Sequence, residues 1–260
     1  MPERTGRAPG SFCWPEIATA DLAKAKAFYG ELFGWDIREQ PGYGYAIAHR
    51  GEKSVAGMYA LMPDQVKQGV PPHWMGYVLV ASTDASAASA AGLGGKVLAP
   101  PFDVPGVGRM AVIEDPTGAC FALWEAKGHG GAEVEGEPGS VCWYELATTD
   151  AARAKAFYSG LFGWTWKESP IPTPTSPYRE FFVGEAMGGG MEQMGPQQAG
   201  IPSHWRIYVA VSDCDAVAKA CVALGGKVHV PPTDIPRVGR FAVLNAPDGA
   251  YFSVIRLGGC

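Results

Sequence analysis

The sequence predicts an α+β chain of two tandem domains, each built from two βαβββ modules, and three observations carry that expectation. "CWPEIATADLAKAKAFYGELFGW", Cys13 to Trp35, recurs as "CWYELATTDAARAKAFYSGLFGW", Cys142 to Trp164. A second block that opens with "HWMGYVLV" recurs as one that opens with "HWRIYVAV". Within every block the apolar spacing switches between the period of two of a strand and the 3.6 of a helix. The 260 residues then divide into domains at 11–127 and 140–257, joined by a linker at 128–139.

Each element follows from local chemistry. "FCWPEIAT" alternates as a strand should. Asp21 then offers an N-cap, and Leu22, Ala25, Phe28, Tyr29, Leu32 and Phe33 recur at helical spacing until Gly34 stops the helix. "YGYAIAHR" and "SVAGMYAL" read as strands separated by glycine-containing turns. The second module passes from "HWMGYVLV" through the alanine-rich helix "DASAASAAGLGG" to "KVLAPPFDVPGVGRMAVIEDPTGACFALWEA", which reads as three strands. Its copy runs from "HWRIYVAV" through "DAVAKACVALGG" to "KVHVPPTDIPRVGRFAVLNAPDGAYFSVI". The linker, "GHGGAEVEGEPG", is glycine- and glutamate-rich without periodicity. The insert "SPIPTPTSP", 169–177, interrupts only the third module. Its prolines exclude helix and central strand, leaving a rigid loop that is either a flap over a site or a plain connection.

Composition narrows the function classes. Hydrophobic residues make up 47% and charged residues 18% of the chain, which is the balance of a globular protein. With a net charge of −5 and no basic stripe among aromatics, a nucleic-acid partner is not expected. No apolar run is long enough to span a bilayer and "MPERTGRAPG" lacks a secretory h-region, so a cytoplasmic protein without membrane contact is expected, as monomer or homodimer. The six cysteines, at 13, 120, 142, 214, 221 and 260, form no CxxC; Cys13 and Cys142 read as buried thiols and Cys260 as an exposed one. GxSxG, HExxH and phosphate-loop motifs are absent, and "GGG" at 188–190 lacks the strand-then-helix setting of a phosphate loop.

"TADLAKAKAFYGELFGW", "GGKV", "GRMAVIEDPTGACFALWE" and their copies resemble the vicinal oxygen chelate superfamily of glyoxalases, bleomycin-resistance proteins and extradiol dioxygenases. The resemblance spans residues 11 to 257. Within that group the four-module pattern is similar to actinobacterial glyoxalase-like proteins labelled as hydroxylases or antigen homologues. It implies paired modules whose sheets form half-open barrel cups with the site inside, and it leaves the reaction open, because this scaffold hosts many chemistries.

In metal-dependent members each module supplies ligands from its first and last strands. Counting from Asp21 and from "DPTG" places those positions here on Trp14, Met75, Ala122, Trp143, Arg206 and Ser253, a poor set for a divalent ion. The resemblance therefore implies no metal and no cofactor, and the tryptophans become apolar cup walls. Glu16 and Glu145, two residues on from the tryptophans, share their strand face. His73 and His204 stand two before Met75 and Arg206 and face the cup or its rim. Arg109 and Arg240 open strands in "VGR"; each pairs either with Glu16 or Glu145 inside the cup, or with Asp103 or Asp234 in its own loop. Met58, Met62, Met187, Met191 and Met194 line a pocket or fill core. Trp35, Trp74, Trp164 and Trp205 are expected in the core.

The expected ligand-binding set is thus Trp14, Glu16, His73, Met75, Arg109, Trp143, Glu145, His204, Arg206 and Arg240. Three readings stay open. One is a metal-free binder of an apolar, aromatic small molecule such as a natural product or antibiotic. The second is a metal-independent isomerase, cyclase or lyase in which Glu16 or Glu145 is the catalytic acid or base. The last is a metal-dependent lyase or dioxygenase using Glu16, His73 and further donors.

Overall fold

The computed structural model describes residues 6–42, 44–171 and 177–258, so Cys260 and the middle of the proline-rich insert lie outside the described residues. Four modules follow one another. The first holds β1 (Phe12–Thr19), α1 (Leu22–Phe33), β2 (Asp36–Gln40), β3 (Tyr45–Arg50) and β4 (Lys53–Ala60), followed by the short α2 (Pro63–Lys67). The second holds β5 (His73–Leu79), α3 (Thr83–Gly92), β6 (Lys96–Val104), β7 (Gly108–Glu114) and β8 (Cys120–Ala126). The third holds β9 (Val141–Thr148), α4 (Ala151–Phe162), β10 (Thr165–Glu168), β11 (Arg179–Val183) and β12 (Ala186–Gln193). The fourth holds β13 (His204–Ala210), α5 (Cys214–Ala223), β14 (Lys227–Ile235), β15 (Gly239–Asn245) and β16 (Tyr251–Leu257).

The cap and stop read from sequence at Asp21 and Gly34 form as expected, and their copies Asp150 and Gly163 act alike. Asp21 and Asp150 accept the backbone N–H of Lys24 and Arg153, and Gly34 and Gly163 close their helices at φ 68° and 70°, where a side chain would be strained. The strands order as β2-β3-β4-β1-β5-β8-β7-β6 and β10-β11-β12-β9-β13-β16-β15-β14, two mixed eight-stranded sheets rather than closed barrels. In each, a parallel β1–β4 or β9–β12 pair fixes which residues stand beside the glutamates, Glu16 opposite Gly57 and Glu145 opposite Gly190.

By packing, the chain forms two compact units, and each takes one module from either half. The first is Met1–Cys13, Gly76–Gly131 and Trp143–Arg206; the second is Trp14–Met75, Ala132–Cys142 and Ile207–Cys260. In the first, Phe121 packs on Phe157, Tyr158 and Phe162, and Trp164 stacks on Phe181 at 3.9 Å. In the second, Phe252 packs on Phe28, Tyr29 and Phe33. Trp74 and Trp205 are buried and donate to Tyr29 Oη (3.1 Å) and Tyr158 Oη (2.9 Å), the core placement expected for them. The segment after Gly131 is held down rather than loose: Ser54 N and Oγ both donate to Glu133 Oε2, and Arg50 pairs with Glu137.

The methionines do not share one surface. Met58 and Met191 are fully buried and fill core, whereas Met62, past the end of β4, and Met187, on the far side of the register shift between β11 and β12, are exposed.

Candidate functional site

In the second unit, Trp14 and Glu16 stand two apart on β1 and share a face. Tyr45, the first residue of β3, reaches back across β4 to meet both. Trp14 Nε1 donates to Tyr45 Oη at 3.0 Å, and Tyr45 Oη donates to Glu16 Oε2 at 2.6 Å. The crossing depends on Gly57 beneath it. A Cβ there would overlap Tyr45 Oη and lie 2.7 Å from Trp14 Nε1. Glu16 is 7% exposed, a level at which a carboxylate needs donors. Burial, and after it the Glu16 charge, pushes the Tyr45 phenol well above its ordinary range, so the tyrosine stays a donor. Beside it Tyr59 accepts from Gln65 Nε2 at 3.2 Å.

The first unit repeats the line of groups. Trp143 Nε1 donates to Tyr178 Oη at 2.9 Å, and Tyr178 Oη donates to Glu145 Oε2 at 2.8 Å. Gly190 now lies under the phenol, where a Cβ would overlap Tyr178 Oη and stand 2.6 Å from its Cε1. The copies then diverge. Arg206 Nη1 donates to Glu145 Oε1 (3.0 Å) and Glu192 Oε2 (2.8 Å), so both oxygens of Glu145 are held. Met75 occupies the position of Arg206 in the other copy and Tyr59 that of Glu192. Exposure differs too, for Trp14 is 3% exposed while Trp143 keeps part of its surface.

His204 Nε2 lies 3.2 Å from Arg206 Nε, and His73 and His204 each contact the carbonyl two residues back, at 2.8 Å. Burial lowers the pKa of both imidazoles, and for His204 the Arg206 charge adds to it. The folded chain therefore binds fewer protons than the unfolded chain as pH falls through about 6.5, and stability drops with falling pH in that window. Changing both histidines to Gln is expected to flatten the melting-temperature profile between about pH 6.5 and 5. An unchanged slope would place the titration elsewhere.

Arg109 and Arg240 are not part of either cluster. Arg109 forks onto Asp84 (2.7 and 3.0 Å) and touches Asp103 (3.3 Å); Arg240 forks onto Asp215 (2.7 and 2.9 Å) and touches Asp234 (3.1 Å). Of the two pairings open to them, the structure has the loop aspartates Asp103 and Asp234, with Asp84 and Asp215 added, and the pairing with Glu16 or Glu145 is set aside. The physical reason lies at the helix starts: Asp84 and Asp215 in the first turns of α3 and α5 present carboxylates that match a guanidinium fork without burying a charge. Sequence reasoning also missed Tyr45, Tyr178, Gly57, Gly190 and Glu192. One signal was present, a Gly-Met pair at 57–58 and again at 190–191, one strand after a tyrosine.

A divalent ion does not fit these residues. Trp14, Ala122, Trp143 and Ser253 offer it no donors of the required kind, and the Arg206 cation already holds Glu145 and Glu192. Among the described residues no group of three or more His, Cys, Asp or Glu could bind a metal ion. No described helix is long and apolar enough to cross a membrane.

Comparison with known proteins places the fold. The model of the Glyoxalase/Bleomycin resistance protein/Dioxygenase superfamily matches residues 12–123 and 131–254. The chain is 42% identical over 260 residues to "Putative glyoxylase CFP32" of Mycobacterium tuberculosis (strain CDC 1551 / Oshkosh), covering 98% of each. It is 37% identical over 263 residues to the anthracycline biosynthesis protein DnrV of Streptomyces peucetius, covering 96% of this chain and 94% of the relative. Among solved structures, the Mn(II)-bound glyoxalase from Novosphingobium aromaticivorans superposes with a TM-score of 0.65 at 14% identity, over 95% of this chain and 82% of that one. The 2,3-dioxygenase LapB from Pseudomonas sp. KL28 gives 0.65 at 11%, over 97% and 94%. At such identity the two structures speak for the fold alone.

Proposed function

Because this chain belongs to the glyoxalase/bleomycin resistance protein/dioxygenase superfamily, we propose that it is a metal-independent binder of an apolar, ring-bearing small molecule. The likeness to an anthracycline biosynthesis protein directs the ligand class toward polycyclic natural products. The observation that carries the reading is the duplicated line of indole, phenol and carboxylate, with Arg206 seated on the second copy. Indole and methionine surface suits a flat apolar body, and the tyrosine, glutamate and arginine heads fix its polar substituents. The cluster around Trp143 is the stronger binding candidate, since its indole is reachable and its charges are already ordered.

A second reading, a metal-independent isomerase, cyclase or lyase, is favoured by one difference at Glu16. Uncharged Met75 stands where Arg206 holds Glu145, which leaves Glu16 the better candidate for moving a proton, with Tyr45 as its donor partner. Glu16→Gln would then abolish turnover and leave affinity nearly unchanged.

A hydroxyanthraquinone titrated against tryptophan fluorescence tests the binding reading. Saturable quenching that survives EDTA is expected, with affinity about tenfold weaker in Trp143→Phe. Binding that disappears with EDTA and returns with Mn(II) would establish a metal site instead.

A further inference from the structure

The two compact units treat one buried tyrosine differently. In the first, Tyr158 Oη accepts from Trp205 and donates to Asp115 Oδ2 at 2.9 Å. The other oxygen of Asp115 accepts from Thr117 N (2.7 Å), Thr117 Oγ1 (2.7 Å) and Ala119 N (3.1 Å), so one carboxylate ties the "DPTG" turn to the helix side of the sheet. In the second unit the sequence reads "APDG" and Ala246 replaces that aspartate. Tyr29 Oη still accepts from Trp74, but its own proton meets no acceptor among the described residues, and neither does the backbone N–H of Asp248, the copy of Thr117 N. The Asp248 side chain is engaged elsewhere, by Thr19 Oγ1 (2.5 Å) and Ala250 N (3.2 Å).

A cleft opens at this spot, lined among others by Asp21, Lys24, Phe28, Tyr29, Ala246 and Asp248. Tyr29 is fully buried, and its phenol is pushed well above its ordinary range, by burial first, so it remains a donor. A buried hydroxyl without an acceptor is costly, and the protein's own other copy shows which group satisfies it.

We propose that this cleft is a second small-molecule site, distinct from the Trp–Tyr–Glu clusters, which takes a carboxylate in the place that Asp115 fills in the other unit. One ligand oxygen accepts from Tyr29 Oη and the other from Asp248 N, as the Asp115 oxygens do from Tyr158 and Thr117. Lys24, whose Nζ pairs with Asp21 Oδ2 at 3.3 Å on the exposed side of the cleft, contributes the nearest positive charge, and Phe28 an apolar wall for the rest of an organic acid. The charges of Asp21 and Asp248 oppose an anion, so the affinity for a bare carboxylate belongs to the weak range, with a dissociation constant of about 1–10 mM.

The test is a titration of ¹⁵N-labelled full-length protein with sodium acetate, against sodium chloride at equal ionic strength. Acetate is expected to move the Asp248 amide resonance saturably, with chloride inert. Ala246→Asp, which supplies the carboxylate covalently, should abolish the response. Asp115→Ala should open a matching site in the first unit, seen as an acetate-dependent shift at Thr117. An Asp248 amide that responds alike to acetate and chloride overturns the proposal, as does an acetate response that persists in a folded Ala246→Asp protein. If either variant fails to fold, the wild-type titration decides alone.

Discussion

Replacing Arg206 by Met, the residue its own copy carries, is expected to lower stability by about 3 kcal/mol and the melting temperature by roughly 6–12 °C. The guanidinium holds Glu145 and Glu192 at 3.0 and 2.8 Å, and the three side chains are only 20%, 10% and 27% exposed. Removing the cation leaves two carboxylates on neighbouring strands with little water to screen them, and that residual charge, more than the lost attraction, sets the size of the effect. The lower end of the range for a broken buried pair applies because Glu192 keeps contact with solvent. Adding Glu145→Gln and Glu192→Gln to Arg206→Met should recover most of the loss, since neutral amides need no counter-charge. Failure of the triple variant to recover would mean that Arg206 acts through packing of its stem. The same Arg206→Met protein should also lose affinity for a hydroxyanthraquinone by about tenfold, whereas Met75→Ala, which removes no charge, should leave the second-half cluster intact.

Gly190→Ala is the second large effect, at about 2–3 kcal/mol, because the new methyl would occupy the volume of the Tyr178 phenol. The three atoms nearest that methyl all belong to Tyr178. In a Tyr178→Ala background the same change should therefore be neutral or slightly stabilising, as alanine normally is against glycine in a strand. Gly57→Ala should behave differently under the same treatment. Its methyl meets Tyr45 and also Trp14 Nε1 at 2.7 Å, so Tyr45→Ala relieves only part of the cost. Chemical denaturation of the two double-mutant cycles separates these outcomes. Equal costs for Gly190→Ala with and without the tyrosine would show that the glycine serves the β-bulge of β11 and β12 rather than the phenol.

These contacts account for the glycine run that lacks the setting of a phosphate loop. "GGG" at 188–190 is a strand segment over which Phe181 and Tyr178 lie, and a Cβ at any of the three would strike an aromatic ring. Tyr178 itself was hidden because the proline-rich insert shifts the third module out of step with the first just before it. Glu192 was hidden for another reason: its copy is Tyr59, so no repeated carboxylate marked the position.

What the sequence by itself determined is the repeated local grammar: four βαβββ modules, the Asp caps and Gly stops of α1 and α4, and the shared strand face of each tryptophan with its glutamate. Those follow from spacing within about twenty residues, where period and capping leave little choice. Only the tertiary structure decided which groups meet those glutamates. Tyr45 reaches Glu16 across β4, Arg206 reaches Glu145 from a different module, and Arg109 turns to the aspartate at a helix start instead of to the acid at the tryptophan. Partner choice between charged side chains depends on register and on which arrangement leaves the fewest buried charges unpaired. That quantity is settled by packing across strands far apart in the chain, and spacing along the chain does not encode it.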